Sequence, residues 1–330
     1  MADLFNRGFF VREPAWHKKG FVLQDYPGLE EAMKLAGHDH TIVTVPLCKM
    51  KGDTIVPLSG YKALEREDTG ETVAVRPSTY EVIQNKVPWE VIDGLFEQGA
   101  KWDTAGMLAG KFDETGKEVK GQVYWCLALL DEPQMVKGDD SPTLPYIAAT
   151  WSHDGSQALR IRAMSVRIVC ANTHHAAMYG SGAELDISIK HIGDVSARIA
   201  KAKTALALVR KAQASYIEIA NELAALAVSD EGIENFIHRI VPLPDAMLIT
   251  DRVRGNVEKS RQQVRDIFNS ATVAPSIRNT VYGLVEAGVE YFDHVRRAMN
   301  GDTYFTRNVM KVEPAKAALI ETAKEFAMAV

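Results

Sequence analysis

The sequence has few cysteines and no long apolar run. Its three cysteines, Cys48, Cys126 and Cys170, are odd in number and far apart in 330 residues, which argues against a disulfide framework and for a reducing compartment. No segment approaches the roughly 20 apolar residues that a membrane span needs. The N-terminus also lacks an apolar run followed by a small-residue cleavage site. We therefore expect a cytoplasmic protein without a membrane partner.

Several common catalytic motifs are also missing. The sequence contains no GxxxxGK[ST], GxGxxG, HExxH or GxSxG, which excludes most nucleotide-hydrolysing, dinucleotide-binding and common hydrolase classes. The composition itself is ordinary, since 46% of the residues are hydrophobic and 25% are charged, as in an average globular protein. The chain is long enough for about two domains.

Charge is distributed unevenly along the chain. The formal net charge is −5, but residues 1–154 hold 16 basic and 24 acidic side chains, whereas residues 155–212 hold 9 basic and 3 acidic ones. A locally basic segment in an acidic chain can form an anion-binding surface. The alternative is that these lysines and arginines cover the solvated face of a helix.

Hydrophobic periodicity predicts an α+β protein. An N-terminal antiparallel β-sheet body with helices is expected over residues 1–185, and a mainly helical region over residues 186–330, with one continuous body as the alternative. The predicted elements are a helix at Leu29–Ala36, a strand ending at Pro46, a hairpin turning at 68–70, a helix at 87–98, hairpins flanking 113–118 and 153–156, one long helix at 194–228 whose apolar spacing is interrupted near Gln213, and helices at 230–240, 257–268, 280–299 and 314–328.

Two groups of histidine and cysteine suggest metal or thiol chemistry, but neither is complete. A zinc site needs three or four converging ligands, whereas the two groups offer only His38, His40 and Cys48, and Cys170, His174 and His175. A Cys170 nucleophile would need a base within hydrogen-bond reach, yet this cysteine ends the apolar run VRIVC and is more typical of a buried side chain. We expect no metal, no bound cofactor and no catalytic residue here.

The basic segment contains a strand with cationic side chains on one face. Arg160 and Arg162 are two residues apart and share a face, and Arg167 follows. If Trp151 and Tyr146 lie on neighbouring strands, the surface would combine phosphate contacts with base stacking, as single-stranded nucleic acid requires. The alternative is a hairpin with one core face and one solvated face.

A resemblance to a known family extends over nearly the whole chain. The matching stretches are PAWHKKGFVL, EEAMKLAGHDHTIVTVPL, VRPSTYEVIQN, GQVYWCLALL, WSHDGSQAL, VRIVCANT and YGLVEAGVEYFDH. In these motifs the chain resembles the phage/plasmid-like proteins spread by lateral transfer, whose central region is a domain of unknown function. The resemblance implies a mobile element and a location in the host cytoplasm. It carries no settled activity.

The predicted order of elements is similar to the α-β-β-β-α core of the ring-forming phage single-strand annealing proteins, which is an analogy at the level of the fold. We therefore predict a protein that binds and anneals single-stranded DNA as a homo-oligomer, without covalent chemistry. Its nucleic-acid-binding residues would be Arg160, Arg162, Arg167, Lys190, Arg198, Lys201, Lys203, Trp151 and Tyr146.

Two other classes of function remain open. The acidic residues 1–154 could imitate DNA or occupy a basic site on a host defence protein, which would make the chain a phage-encoded inhibitor. An enzyme would instead need a site around His153, Asp154, Cys170 and Asn172. Affinity for DNA that depends on salt separates the first hypothesis from both.

Overall fold

A computed structural model describes residues 5–12, 20–108, 123–130, 132–167, 169, 172–175, 186–206, 209–244, 249–296 and 314–329 of the chain. Eleven strands lie in these ranges: β1 (Phe5–Val11), β2 (Phe21–Leu23), β3 (Ile42–Lys51), β4 (Thr54–Arg66), β5 (Thr72–Pro77), β6 (Lys101–Leu108), β7 (Val123–Leu129), β8 (Thr143–Ser152), β9 (Leu159–Arg167), β10 (Asn172–His175) and β11 (Asp186–Ile189).

The helices dominate the later part of the described chain. They are α1 (Leu29–Ala36), α2 (Lys86–Asp93), α3 (Val195–Leu206), α4 (Val209–Ala224), α5 (Asp230–Ile240), α6 (Asp251–Phe268), α7 (Pro275–Arg278), α8 (Val281–Glu290) with a π-helical turn at Tyr291–Val295, and α9 (Pro314–Ala329). None of the helices in the described ranges is long and apolar enough to cross a membrane. The predicted α+β class is confirmed, with the sheets early and most helices late.

The chain divides into two compact units. The first unit comprises residues 1–130, 147–162 and 184–209, and the second comprises residues 131–146, 163–183 and 210–330. Strands β8 and β9 each contribute residues to both units. The units therefore interleave along the sequence, whereas the sequence-based prediction divides the chain once, after residue 185.

The first unit contains two sheets. In one, the strands lie in the order β9-β8-β7-β6-β1-β2, and β11 pairs with the first half of β9. Strands β6 and β7 are antiparallel, as are β1 and β6, while the short β2 runs parallel to β1. The other sheet is the antiparallel meander β3-β4-β5. Large aromatic side chains fill the interior of this unit, and Trp89, Trp102, Trp125 and Trp151 are each 0% exposed.

The second unit is a helical core. Apolar side chains of α4, α5, α6, α8 and α9 pack into one cluster, in which every residue of α8 except the last, Glu290, is buried. Within this unit, β10 pairs with the end of β9 in antiparallel register. Two charged pairs are buried here, Arg167 with Asp139 and Lys316 with Asp293. Because a buried charge is costly unless it is paired, these contacts are constraints on how the second unit folds.

Most predicted helices and strands are confirmed. The differences between prediction and structure lie mainly in where these elements begin and end. The helices at 29–36 and 230–240 have the predicted bounds. The helix predicted at 87–98 is the shorter α2, since the helical hydrogen bonds end at Gly94. The strand predicted to end at Pro46 continues to Lys51: Pro46 lies in register with Lys62, and a register shift follows in which residues 58–61 of β4 lie opposite the single residue 47 of β3. The long helix predicted at 194–228 corresponds to α3 and α4, and residues 207 and 208 between them lie outside the described residues. The turn at 113–118 lies outside the described residues.

The buried pair of Arg167 and Asp139 generates a prediction about the stability of the second unit. Arg167 donates from Nε and Nη2 to the two Asp139 oxygens, at 2.6 and 2.7 Å, and from Nη1 to the Thr272 carbonyl at 2.6 Å. Removing one partner of a buried ion pair leaves the other charge unpaired, so Asp139→Asn should lower the free energy of unfolding by about 3–5 kcal/mol.

The measurement is thermal unfolding followed by circular dichroism at 222 nm, a signal to which the helices of the second unit contribute most. The control is the exposed neighbour Asp140→Asn, which should leave the unfolding midpoint unchanged. Equal midpoints for the two variants would contradict this account of the pair.

Candidate functional site

A group of basic side chains in the first unit lies on β9 and directly after the end of β11. Arg160 of β9 lies opposite Ser188 of β11, and the next pair along, Leu159 and Ile189, is buried at 0% and 1% exposure. Because successive side chains on a strand alternate between its two faces, Arg160 and Ser188 lie on the opposite face. There Ser188 is exposed and Arg160 is half-buried.

Further basic side chains follow directly along the chain. The exposed Arg198 of α3 donates from Nη1 to the Lys190 carbonyl at 3.3 Å, so the first turns of α3 lie against the end of β11. Lys201 is also exposed and, three residues further on, is on the same side of α3. The neighbouring acid, Asp194, accepts a backbone N–H in the first turn of α3 at 2.9 Å. Arg160, Lys190, Arg198 and Lys201 are hereafter the basic surface.

Two of the predicted phosphate contacts need correction. Arg162 is 3% exposed, and it lies opposite Asp186 in the register of β9 and β11. Arg167 is 1% exposed and is held by Asp139 within the second unit. A guanidinium that is buried in this way does not reach the phosphates of a strand lying on the surface. Sequence alternation correctly placed Arg160 and Arg162 on one face of β9, but it gave no information on what covers that face.

The two predicted stacking residues are buried as well. Trp151 is 0% exposed, and its indole N–H donates to Asn85 Oδ1 at 2.9 Å. Tyr146 is 6% exposed. Neither ring offers a free face on which a base could stack, so the aromatic part of the predicted site belongs to the protein interior instead.

Some candidate residues cannot be placed. Cys170 lies outside the described residues, and the backbone alone is described for Lys203, Asn172, His174 and His175. The predicted phosphate contact of Lys203 therefore stays a prediction. So does the enzyme alternative, as far as it depends on Cys170 and Asn172.

A buried network of histidines centres on the side chain of Asn85. The orientation of this amide follows from its partners, because the Trp151 indole can only donate, at 2.9 Å, and the His40 carbonyl can only accept, at 3.2 Å. The amide oxygen therefore faces Trp151 and His153, and the amide nitrogen faces His40. It follows that His153 donates from Nε2 to Asn85 at 2.7 Å, while His40 accepts at Nε2 from Asn85 at 3.1 Å.

A third histidine, His38, joins helix α2 to strand β6. Its Nε2 donates to the Gly106 carbonyl at 2.9 Å, and its Nδ1 accepts the Trp89 indole N–H at 3.1 Å. The His38 ring also makes edge contacts with Tyr124 and Trp151, at centroid distances of 5.2 and 5.1 Å. Both nitrogens of the neutral ring are thus used within the protein.

Burial keeps these histidines neutral. Desolvation lowers the pKa of His38 to about 3 and that of His153 to about 3, and the neighbouring His40 contributes to both decreases. The pKa of His40 is also lowered, first by burial and then by the nearby Arg66. In the neutral form that donates from Nε2, His153 has a bare lone pair on Nδ1, for which the described residues provide no partner. Protonation would place an N–H there without an acceptor, which explains the direction of the shift.

The network is a poor starting point for catalysis. His153 is 0% exposed and Asp154 is 5% exposed. The Asp154 carboxylate accepts the Ser156 N–H at 2.9 Å and the Ser156 hydroxyl at 2.6 Å, which is an ordinary turn motif. These groups can hold the sheet and α2 together, but they do not open onto a surface from which a substrate could approach them.

The candidate metal ligands do not converge either. Cys48 is exposed on β3, whereas His38 is buried with both ring nitrogens hydrogen-bonded. Within the ranges that the structure describes, no three histidine, cysteine, aspartate or glutamate side chains are grouped so that they could hold a metal ion.

Comparison with known proteins supplies a family. The model of a family described as a domain of unknown function, DUF932, matches residues 72–319, which is about three quarters of the chain. The chain belongs to the DUF932 family. No curated protein and no solved structure matches it. The matched residues include all four residues of the basic surface.

Sequence reasoning missed two features of this DUF932 chain. Asn85 has no local signal of its own, since its partners His40 and His153 are 45 and 68 residues away. The second is a hairpin formed by β3 and β4, whose turn is at Gly52 and Asp53. A glycine with positive φ, +61° at Gly52, fits the first position of a tight hairpin turn, so the alternating residues on either side could have revealed it.

The neutral histidines predict how the first unit of this DUF932 chain responds to acid. A histidine that ionises at pH 6.5 when unfolded and at about 3 when folded binds its proton preferentially in the unfolded chain. Its contribution to the free energy of unfolding is therefore fully present above pH 6.5. As the pH decreases toward 3, the free energy of unfolding falls by about 1.4 kcal/mol per pH unit for each such histidine. The variant His153→Gln should reduce that slope by about 1.4 kcal/mol per pH unit.

Denaturant unfolding between pH 7 and 4, followed by tryptophan fluorescence, measures this slope. The four tryptophans that the structure describes belong to the first unit, so the signal reports on that unit. The control Gln98→Asn, at an exposed position of the same unit that carries no ionisable group, should leave the slope as it is in the wild type. An unchanged slope in His153→Gln would mean that His153 titrates normally in the folded protein.

Proposed function

We propose that this chain binds single-stranded DNA through the basic surface and anneals complementary strands. The observation that carries the proposal is the concentration of Arg160, Lys190, Arg198 and Lys201 at one place in the first unit of a chain whose net charge is −5. Phosphate groups are the anionic partner that a row of lysines and arginines binds most generally, and the attraction needs no base-specific contact.

The order of elements supports the same function. Helix α2 is followed by β6, β7, β8 and β9, which are neighbours in one sheet, then by the short strands β10 and β11, which both pair with β9, and then by the basic helix α3. This order is similar to that of the ring-forming single-strand annealing core, which is support by analogy. Annealing requires only that two strands are held extended with their bases exposed, so it needs no catalytic residue and no cofactor.

The proposal places the protein in a phage or another mobile element and in the host cytoplasm, because the motifs of the sequence resemble those of laterally transferred phage and plasmid proteins. It also includes assembly into a homo-oligomer, since one copy offers only a short stretch of basic surface. Several copies side by side would hold a longer strand, and the total affinity would rise with the number of copies engaged.

The alternative of a host-protein inhibitor makes the opposite prediction about charge. An inhibitor that imitates DNA would bind its partner through the acidic residues of the first 154 positions, and added salt would weaken that protein complex. Such a protein would not bind DNA. The two functions are therefore separated by a measurement on DNA alone.

The basic surface predicts a specific change in the salt dependence of binding. Each phosphate contact on a single strand contributes about −0.7 to the slope of log affinity against log salt concentration. Replacing two exposed lysines, in the variant Lys190→Gln with Lys201→Gln, should therefore make the slope shallower by about 1.4. Fluorescence anisotropy of a labelled single strand and of its duplex, across a salt series, gives the slopes and the preference for single strands.

The matched control removes two exposed cations from α6 in the second unit, Arg252→Gln with Lys259→Gln, and so changes the net charge by the same amount. It should bind like the wild type. Equal losses in both variants would assign the binding to net charge alone, and no binding by the wild type at low salt would exclude the proposed function.

A further inference from the structure

The hairpin of β3 and β4 extends beyond the sheet to which it belongs. Strand β5 pairs with β4 only from Tyr61 to Glu65, so residues 46–60 form a two-stranded segment, hereafter the arm. From Val45, which lies opposite the buried Ala63, to Lys51 at the turn, the arm extends for about 20 Å at the usual rise of a strand. Every side chain from Cys48 to Ile55 is exposed.

The end of the arm carries an exposed apolar pair. Met50 and Ile55 lie opposite each other in the register and are 64% and 68% exposed. Cys48 and Pro57 form the next pair on that face, and both are exposed. Contact between the two side chains across the strands stabilises the hairpin, but most of each side chain stays in water, where apolar surface is unfavourable. The exposed part of the pair is therefore available to a partner.

The other face of the arm is positively charged. Lys49 and Lys51 precede and follow Met50 in β3, so they lie on the face opposite to Met50 and Ile55, and the arm contains one acid, Asp53. Neither lysine forms an ion pair in the described part of the chain. At the base of the arm, Lys62 of β4 pairs with Arg76 of β5. The arm is therefore locally positive, although residues 1–154 as a whole are acidic.

A connection within the first unit relates the base of the arm to the basic surface. Tyr80 packs against Ile42 and Leu64 of the β3-β4-β5 sheet, and its ring stacks on His191 at a centroid distance of 4.7 Å. His191 directly follows Lys190 of the basic surface and accepts the Glu81 N–H at its carbonyl oxygen, at 2.7 Å. The sheet that bears the arm is thus connected, through Tyr80, to the residue next to Lys190 of the basic surface.

The size and chemistry of the arm favour nucleic acid over protein as its partner. Met50 and Ile55 can bury on the order of 100 Å² each, which is far below the roughly 800 Å² per partner of a stable protein interface. Addition of a partner strand is also disfavoured, because Pro46 in β3 and Pro57 in β4 interrupt the rows of N–H donors at both arm edges. By contrast, one or two apolar side chains suffice as a wedge between bases, and methionine, isoleucine and proline are used in this way.

We propose that the arm inserts Met50 and Ile55 between adjacent bases of the single strand that the basic surface binds, while Lys49 and Lys51 contact the flanking phosphates. This inference rests on the proposed function and gives it a mechanism. Separating stacked bases extends the strand and exposes the base edges, which is the state that pairing with a complementary strand requires.

The test uses a single strand that contains 2-aminopurine between adenines, whose fluorescence increases when it is unstacked. The full-length wild-type chain should raise this fluorescence several-fold at saturation. The variant Met50→Ser with Ile55→Ser should abolish the increase and weaken binding by about tenfold, which corresponds to about 1.4 kcal/mol. The matched control, Met50→Leu with Ile55→Val, keeps the apolar pair and should retain the increase.

The outcomes separate this inference from the proposed function. Wild-type binding with an unchanged fluorescence signal, or an undiminished increase in the serine variant, would overturn the wedge and leave binding by the basic surface intact. A wild type that does not bind the strand would overturn both. If the serine variant sediments as a smaller species but still unstacks the bases, the partner of the arm is a second copy of the chain, and the wedge is wrong.

Discussion

The hydrogen bonds of the Asn85 side chain are the interaction on which the first unit depends most. One amide accepts from Trp151 and His153 and donates to the ring and the carbonyl of His40, so it connects α2 to β8 and to the start of β3. Each of these buried polar groups would cost about 1–3 kcal/mol if left unsatisfied. Because the Asn85 amide is fully used and the network is buried, this network offers no group to a ligand at the surface.

The regular elements could be predicted because their signals are local. Helix α1 ends where Gly37 adopts a φ of +76°, and α5 begins where the Ser229 side chain accepts the Gly232 N–H. The candidate site was predictable only in part, since a period of two residues shows which side chains share a face but not what covers it. Arg167 and Trp151 look like surface residues in the sequence, but their partners come from segments tens of residues away.

The proposed interface has two parts with different relations to the family. The basic surface lies inside the DUF932 match, whereas the arm, at residues 46–60, precedes its first residue, 72. In this account the basic surface supplies affinity through phosphates, and the arm supplies the separation of bases. An acidic chain gains from this arrangement, because repulsion elsewhere on its surface confines the strand to the places where cations are exposed.

Photo-crosslinking to a single strand that contains bromodeoxyuridine, followed by mass spectrometry of the attached peptides, tests the central claim most directly. The account predicts crosslinks in the arm, residues 46–60, and in the parts of the first unit that contain the basic surface, residues 159–162 and 186–203, and their disappearance at high salt. Crosslinks confined to the second unit, for example to the exposed cations of α6, would contradict it.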